Sequence, residues 1–569
     1  MLFATLSITG HSPLLVSIIA LILAPLMMLR PVKKRFARAE ARFRHFAQRK
    51  RTAVVTVVLM VIVLRVAALP WIRVENPMIH DEFSYLLMGD TFAHGRLTNP
   101  TSPMWHHFET MHVNQVPTYQ SMYPVGQGLV LGASEWLTGN PWWGVLISVA
   151  LMAGVICWAL QGWMPPEWAL LGGLISALHY GIVHEWVNSY WGGAVAAIGG
   201  ALLLGALPRI VRRARVRDAL LGALGLAIMA NSRPYEGLVI SIPLMLALLW
   251  GTWKRWHASI TLKRILAPAA VLLAITAAGM MYYNYRGTGH PLLTPYEVNL
   301  EQYHPTNPFI WQPLRPKPHY RFVEMKMFYY MHERAMWDSY HSALGLFSLL
   351  SEKMRFFYDV FFWRLEIAFA VGWFFLARNR RKSLLAWTLL IFMAGLSLVV
   401  WKPTEPYTAP ATALTAAIAI FGLRYLRTWK RRSGFGLAYS RAMVVVLAFW
   451  IGFGIYWAVA RPPKHFYNDT RASIVKLLNR SPGKQLVIVH YSPGHFPYNE
   501  WVFNGADIDG EKIVWARDMG PKNQELIDYF HNRHVWWINA DAKDPQPEPY
   551  RFSTPLNKID VPGNIVGGG

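Results

Sequence analysis

The chain has 569 residues, 53% of them apolar and only 15% charged, and its mean hydropathy is positive. That composition excludes an ordinary soluble enzyme and describes a polytopic α-helical membrane protein. A formal charge of +24 on a soluble surface would suggest nucleic acid, but here the basic residues gather in short blocks between apolar runs and report topology, so no nucleic-acid partner is expected. The single cysteine, Cys157, lies within an apolar run, which excludes an intramolecular disulfide and a cysteine-based metal site.

No Lys or Arg precedes the first apolar stretch, and the positive charges begin after it at Arg30, as expected of an anchor with its N-terminus outside rather than of a cleaved signal peptide. Apolar windows near the ~20 residues that cross a bilayer fall at 12–29, 53–71, 142–160, 167–184, 191–208, 264–283, 358–377, 383–401, 408–426 and 441–460. Two shorter runs, Ala219 to Ala230 and Leu238 to Trp250, flank the polar segment Asn231 to Gly237 and are expected to form a helical hairpin with its tip at the membrane surface. The expectation is about twelve spans.

The densest basic block runs from Arg30 to Arg51, opposed only by Glu40, and belongs in the cytoplasm. Alternation from there also places Arg209 to Arg217, Lys254 to Arg264, Arg378 to Lys382 and Arg424 to Arg441 inside. Three large segments then fall on the extracytoplasmic side of the cell (inner) membrane: 72–141, 284–357, and the tail 461–569. The expected division is a transmembrane catalytic part, 1–460, and a soluble α/β domain, 461–569. In the tail, Asp469 is expected to cap a helix bearing Ile474, Leu477 and Leu478. Gln485 to Tyr491, Lys512 to Ala516 and Val535 to Ile538 read as strands, and Pro521 to Asn532 reads as a helix with proline at its start.

The chemistry is expected in the first outer loop, which opens His80-Asp81-Glu82-Phe83-Ser84-Tyr85. Acids favour helix starts, so Asp81 and Glu82 could simply cap a surface helix. Their place at the outer end of a span, before a loop rich in His, Trp and Tyr, also suits a general base that takes the proton of an acceptor hydroxyl. An acidic pair in the first outer loop, many spans, and a soluble domain after the last span resemble the GT-C superfamily of polyprenyl-phosphate-sugar glycosyltransferases, among them the protein O-mannosyltransferases and the aminoarabinose transferases of lipid A. The resemblance implies a sugar carried on a lipid phosphate and transferred at the outer face, with Asp81 as the base and Glu82 orienting the base or the acceptor.

Tyr85, Asp90, His107, Glu109, His112, Asn114, Gln115 and Tyr123 in the same loop, with Tyr235 and Glu236 at the hairpin tip, are the expected substrate pocket. Imidazole and carboxylate also suit a divalent metal such as Zn or Mn. The spacing of His107, Glu109 and His112 matches no strong metal signature, so metal dependence stays open, and no other cofactor is expected. A phosphate-bearing donor calls for a cation at the outer face, preferably arginine because its fork matches phosphate oxygens. Arg233 at the hairpin tip leads, with Arg286, Arg96 and Lys402 as alternatives. Arg65, toward the outer end of the second span, is expected to snorkel to headgroups. The Pro- and aromatic-rich segment from Arg286 to Arg321 is expected to act as a lid. The expected function is inverting transfer of a sugar from a polyprenyl-phosphate donor to a hydroxyl on a lipid, glycan or protein acceptor. The rival is a polytopic transporter or lipid flippase, against which stand sparsely charged spans and no evident repeat.

Overall fold

The computed structural model describes residues 14–361, 364–401, 404–460 and 467–551. Helices dominate, and among the described residues seven are long and apolar enough to cross a membrane: Lys50–Ala68, Trp142–Leu160, Ala194–Arg213, Pro234–Arg255, Ala258–Thr288, Glu405–Thr428 and Phe435–Ala460. The count rises to eight if Leu15–Met28 and Arg30–Ala47, bent by 101° at their junction, form one span. Length and composition therefore account for fewer than the twelve expected. The helices Pro166–Tyr180, Val216–Ala230, Glu366–Arg378 and Ser383–Ser397 fall short of a full span.

The shortfall has a local cause. An apolar window registers side chains but not where backbone hydrogen bonding stops. The 358–377 window straddles the helices Ala343–Phe361 and Glu366–Arg378. The 383–401 window ends its helix at Ser397, after which Val399 bridges Phe309 and the Val400 N–H donates to the Pro308 carbonyl at 2.8 Å. The hairpin differs in the opposite direction. Its second arm starts at Pro234, where a proline costs no hydrogen bond, and runs 22 residues to Arg255.

Arg65 also departs from expectation. It is fully buried, and its guanidinium donates to the carbonyls of Ile72 (3.0 Å) and Arg73 (3.4 Å) and to Oδ1 of Asn188 (2.7 Å), with the Trp142 ring 5.1 Å away. A charge at this depth is stabilised by protein oxygens, so it has no need to reach the headgroups. The basic block after Met28 is itself a helix, and its one acid, Glu40, is gripped by Arg427 (2.9 Å) and Arg441 (2.8 Å) from two other helices.

At the opposite end of the bundle the long loops fold together. The first contains a short antiparallel ladder of β1 (Val113–Asn114) and β2 (Gln120–Ser121). Beyond the bundle, β3 (Lys484–His490) pairs in parallel with β4 (Ile513–Arg517) and β5 (Arg533–Asn539), and β6 (Glu548–Pro549) adds an antiparallel edge, giving the order β4-β3-β5-β6. Side chains alternate across a strand, and β3 uses both faces. Val487 and Val489 pack with Ile474 and Leu478 of the helix Tyr467–Arg480, whereas Leu486 and Ile488 pack with Leu87, Phe108 and Val113 of the first loop. The sheet is thereby seated on the loop that carries Asp81. Asp469 lies in the first turn of its helix rather than at the cap and accepts from Asn76 at 3.0 Å. The expected helix from Pro521 shortens to Asn523–Tyr529.

Candidate active site

The site starts at the first turn of the helix His80–Ala93, where acids are favoured by the unpaired N–H groups. That helix lies close against Val125–Thr138. A Cβ on Gly132 would stand 2.7 Å from the Gly89 carbonyl oxygen, so the approach requires glycine there.

The two adjacent acids divide their work. Glu82 is buried, and its carboxylate accepts from three backbone N–H groups: Met78 (2.8 Å), Ile79 (3.3 Å) and Tyr190 (2.9 Å). It ties the helix start to the segment before the helix Ala194–Arg213, and burial pushes its carboxyl up to about 7. Asp81 points the other way. It accepts a short hydrogen bond from the Tyr123 hydroxyl, and His112 Nδ1 stands 3.7 Å from its Oδ2 and 3.1 Å from the same hydroxyl.

His112 reaches this position from an unusual backbone. Its φ is +61°, in the left-handed region. Three contacts hold it there: its N–H donates to the Tyr329 hydroxyl (2.9 Å), and its carbonyl accepts from Ser84 Oγ (2.7 Å) and from the Met122 N–H (3.2 Å). Burial pushes its imidazole down to about 3, and burial also lowers His80, so both rings are neutral near pH 7. The other long segments close over them. Phe328 lies edge-on to His80 at 4.6 Å and to His112 at 5.4 Å, and Tyr498 beyond the bundle lies 5.2 Å from His80.

Arg233 joins from the hairpin tip. The Gly126 N–H donates to the Asn231 carbonyl at 2.6 Å, which seats the end of the first loop on that tip. Among the described residues the guanidinium makes no ion pair; it lies over the Tyr407 ring at 4.5 Å. Tyr85 feels the charges of both Arg233 and Asp81, and Tyr85 stacks on Tyr123 at 4.5 Å. The Asp81 carboxylate and the Arg233 guanidinium, on which the charge of buried Glu236 also acts, therefore border one aromatic wall. Glu236 is buried one turn beyond Arg233, and the Tyr235 hydroxyl donates to the Gly395 carbonyl at 2.8 Å.

Other expected pocket residues are committed to scaffolding. Glu109 holds Arg321 (3.0 Å) and the Tyr303 hydroxyl (3.0 Å). Asp90 accepts from the Ala506 N–H (2.6 Å), and His107 Nδ1 faces the Arg517 carbonyl (3.3 Å). Asn114 bridges the Pro295 carbonyl and Asn299, both at 2.8 Å, and Gln115 donates to the Phe108 carbonyl (2.7 Å). These bonds join the three long segments around the site. Arg96 lies past the far end of the Asp81 helix, roughly 20 Å along its axis at 1.5 Å per residue. Arg286 is exposed beside Tyr282, and Lys402 lies outside the described residues.

His80, Asp81 and His112 each offer one ligand atom, all within 4.8 Å of one another. His80 Nε2 faces the Pro497 carbonyl at 2.9 Å and must donate to it, which leaves Nδ1 as a buried acceptor with no partner. Two neutral imidazoles and a carboxylate fit a divalent cation. Sequence reasoning passed over His80, Tyr407, Phe328 and Tyr498. His80 adjoins Asp81 and was within reach of that reasoning; the other three are single aromatics in aromatic-rich segments, with no local signal to separate them.

No protein-family model matches the sequence, and no curated protein matches it. Solved structures do resemble it. The Archaeoglobus fulgidus oligosaccharyltransferase, in a complex with Zn and sulfate, aligns at 10% identity over 86% of this chain and 67% of its own, with a TM-score of 0.49. ArnT from Cupriavidus metallidurans aligns in the apo state at 14% identity over 86% of this chain and 93% of its own, TM-score 0.45. Its undecaprenyl phosphate complex aligns at 11% identity over 85% and 92%, TM-score 0.44.

Proposed function

We propose that the protein is a membrane glycosyltransferase that moves a sugar from a polyprenyl-phosphate donor to an acceptor hydroxyl at the extracytoplasmic face. The observation that carries the reading is the placement of the Asp81 carboxylate and the Arg233 guanidinium along the one wall formed by Tyr85 and Tyr123. The proposed topology is twelve spans, with the four short helices completing the bundle within residues 1–460, and with 461–569 as a soluble domain outside the inner membrane.

Asp81 takes the proton of the acceptor hydroxyl as its oxygen attacks the anomeric carbon. The bond from that carbon to the phosphate oxygen breaks, the configuration inverts, and polyprenyl phosphate leaves with its charge stabilised by Arg233. Tyr123 and His112 hold the Asp81 carboxylate in position, Glu82 fixes the backbone beneath it, and Phe328 and Tyr498 exclude water from one side. His80, Asp81 and His112 would hold a divalent cation, which supplies positive charge near the phosphate.

The test is a transfer assay on purified protein with a radiolabelled polyprenyl-phosphate sugar. Asp81→Asn is expected to lose about 10²- to 10⁴-fold in turnover, the span for a positioned general base, with an unchanged gel-filtration profile. Full activity in that variant sinks the assignment of the base.

A further inference from the structure

At the end of the bundle remote from Asp81 lies a cleft of about 530 Å³ lined by Lys50, Arg51, Arg209, Arg212, Arg213 and Arg217. Its distance from the active site follows from one helix. Arg65, near the end of Lys50–Ala68, bonds Asn188 beside the Glu82 anchor, and Lys50 begins the same 19-residue helix, roughly 22 Å from Arg65 at 1.5 Å per residue.

The cations of the cleft outnumber their counter-charges. Arg209 is pinned by the carbonyls of Gly205 (2.6 Å) and Trp158 (2.7 Å) and lies 4.0 Å over the Trp158 ring. Arg212 is held by the carbonyls of Pro208 (2.8 Å) and Gly162. Carbonyls fix a guanidinium in place but leave its charge intact. The one acid in contact, Asp218, is engaged by Arg217 at 3.6 Å. Lys50, Arg51 and Arg213 are exposed, and among the described residues no carboxylate pairs with them. The dipole of Lys50–Ala68 disfavours cations in its first turn, so Lys50 and Arg51 do not stabilise that helix.

The cleft has an apolar side as well. Val54 and Val55 continue its wall one turn along a helix long and apolar enough to cross a membrane, and Val55 is 53% exposed. A cavity with exposed and carbonyl-held cations above and an exposed apolar wall below matches a phosphodiester headgroup whose chains remain in the bilayer. We propose that this cleft binds an anionic phospholipid of the leaflet opposite the active site. The lipid oxygens supply the missing counter-charge between three helices, Lys50–Ala68, Trp142–Leu160 and Ala194–Arg213, which clamps the non-catalytic end of the bundle.

The experiment is native mass spectrometry of the full chain in detergent, titrated separately with phosphatidylglycerol, cardiolipin and phosphatidylcholine. The anionic lipids are expected to bind about tenfold or more tighter than phosphatidylcholine, since each basic group near a phosphate contributes on the order of 1 kcal/mol. The triple variant Lys50→Gln, Arg51→Gln, Arg213→Gln is expected to lose that preference. The charge-retaining Lys50→Arg, Arg51→Lys, Arg213→Lys keeps it, as does Arg35→Gln, Arg38→Gln, Arg42→Gln on the neighbouring basic helix. Equal loss in both neutralised triples shows only diffuse attraction and overturns the proposal. So does a wild-type protein that does not discriminate among the three lipids, or full displacement of bound lipid by inorganic phosphate, which marks a site for the free anion. None of these readouts depends on sugar transfer.

Discussion

Tyr123 donates its hydroxyl to Oδ1 of Asp81, a residue forty-two positions earlier in the chain, and stacks its ring on Tyr85 at 4.5 Å. The bond closes the first long loop on itself at the proposed base. It leaves Oδ2 of Asp81 turned toward His112 and the space under Phe328. In the proposed mechanism a base fixed by one oxygen and open at the other is oriented before substrate arrives.

The strained residue of this group gives a separable prediction. His112 occupies φ +61°, which asparagine tolerates and alanine does not. His112→Asn and His112→Ala both lose the imidazole, so both should fall in transfer activity. Only the alanine variant should also lose folding stability, by about 1 kcal/mol relative to asparagine, read as a lower unfolding temperature in detergent. Equal unfolding temperatures would show that the backbone there is relaxed.

Glu82 carries a pH signature. Burial raises its carboxyl to about 7 from its usual 4.5, so the folded protein holds this proton more tightly than the unfolded chain. Between about 4.5 and about 7 the native state then binds more protons, and stability falls as pH rises through that window. In Glu82→Gln the group no longer titrates, and one of its three N–H contacts is lost because an amide presents a single oxygen. The variant should be less stable at pH 5 and show a flatter pH dependence from 5 to 7. A slope identical to that of the unaltered protein would mean that Glu82 does not titrate there.

The reach of the sequence is plain at this site. Asp81 and Glu82 stand out in the sequence because they fall between an apolar run and a loop rich in His, Trp and Tyr, and Arg233 because it sits at the polar tip of an apolar hairpin; their parts in the reaction belong to the proposal. What separates their roles is not local: Glu82 is claimed by the Tyr190 N–H, 108 positions away, and Asp81 by Tyr123. Glu109, His107 and Asp90 read as pocket residues because polar groups in a loop look alike until Arg321, Arg517 and Ala506 arrive from elsewhere in the chain. Strand positions in the tail were readable to within two residues from the apolar run around β3. Apolar windows alone do not fix the span count, because apolar residues fill broken and short helices as readily as whole ones.

The donor cation can be tested by comparison. Arg233 stands over Tyr407, near Tyr85, whereas Arg96 lies past the far end of the Asp81 helix and Arg286 is exposed beside Tyr282. Arg233→Ala should reduce transfer by about 10²- to 10³-fold, the loss typical of a group that stabilises developing charge. Arg233→Lys keeps the charge but neither the fork nor the flat stacking surface, and should recover only part of the activity. Arg96→Gln and Arg286→Gln should remain within about threefold of the unaltered enzyme, as surface substitutions distant from the chemistry do. A large loss in Arg286→Gln with a small one in Arg233→Ala would move the phosphate to the other side of the loop.

At the opposite end of the bundle, Glu40 offers a test of the fold that is independent of catalysis. Burial alone would raise its carboxyl; the guanidiniums of Arg441 and Arg427, each donating two hydrogen bonds, outweigh that and hold it at about 2. The folded value lies below the usual 4.5, so the contribution is fully present above that pH and is lost as pH falls toward about 2. Arg441 is buried, and removing its acid leaves a guanidinium with no counter-charge. Glu40→Gln should lower the unfolding temperature at pH 7 by an amount corresponding to about 1 to 3 kcal/mol, the loss expected when a buried charged group is left without its partner. The gap between variant and parent should close on acidification from pH 5 toward pH 3, because the parent then begins to lose the same interaction. A gap that stays constant over that range would mean that Glu40 acts through packing alone and that the basic helix is held to Glu405–Thr428 and Phe435–Ala460 by its apolar side chains.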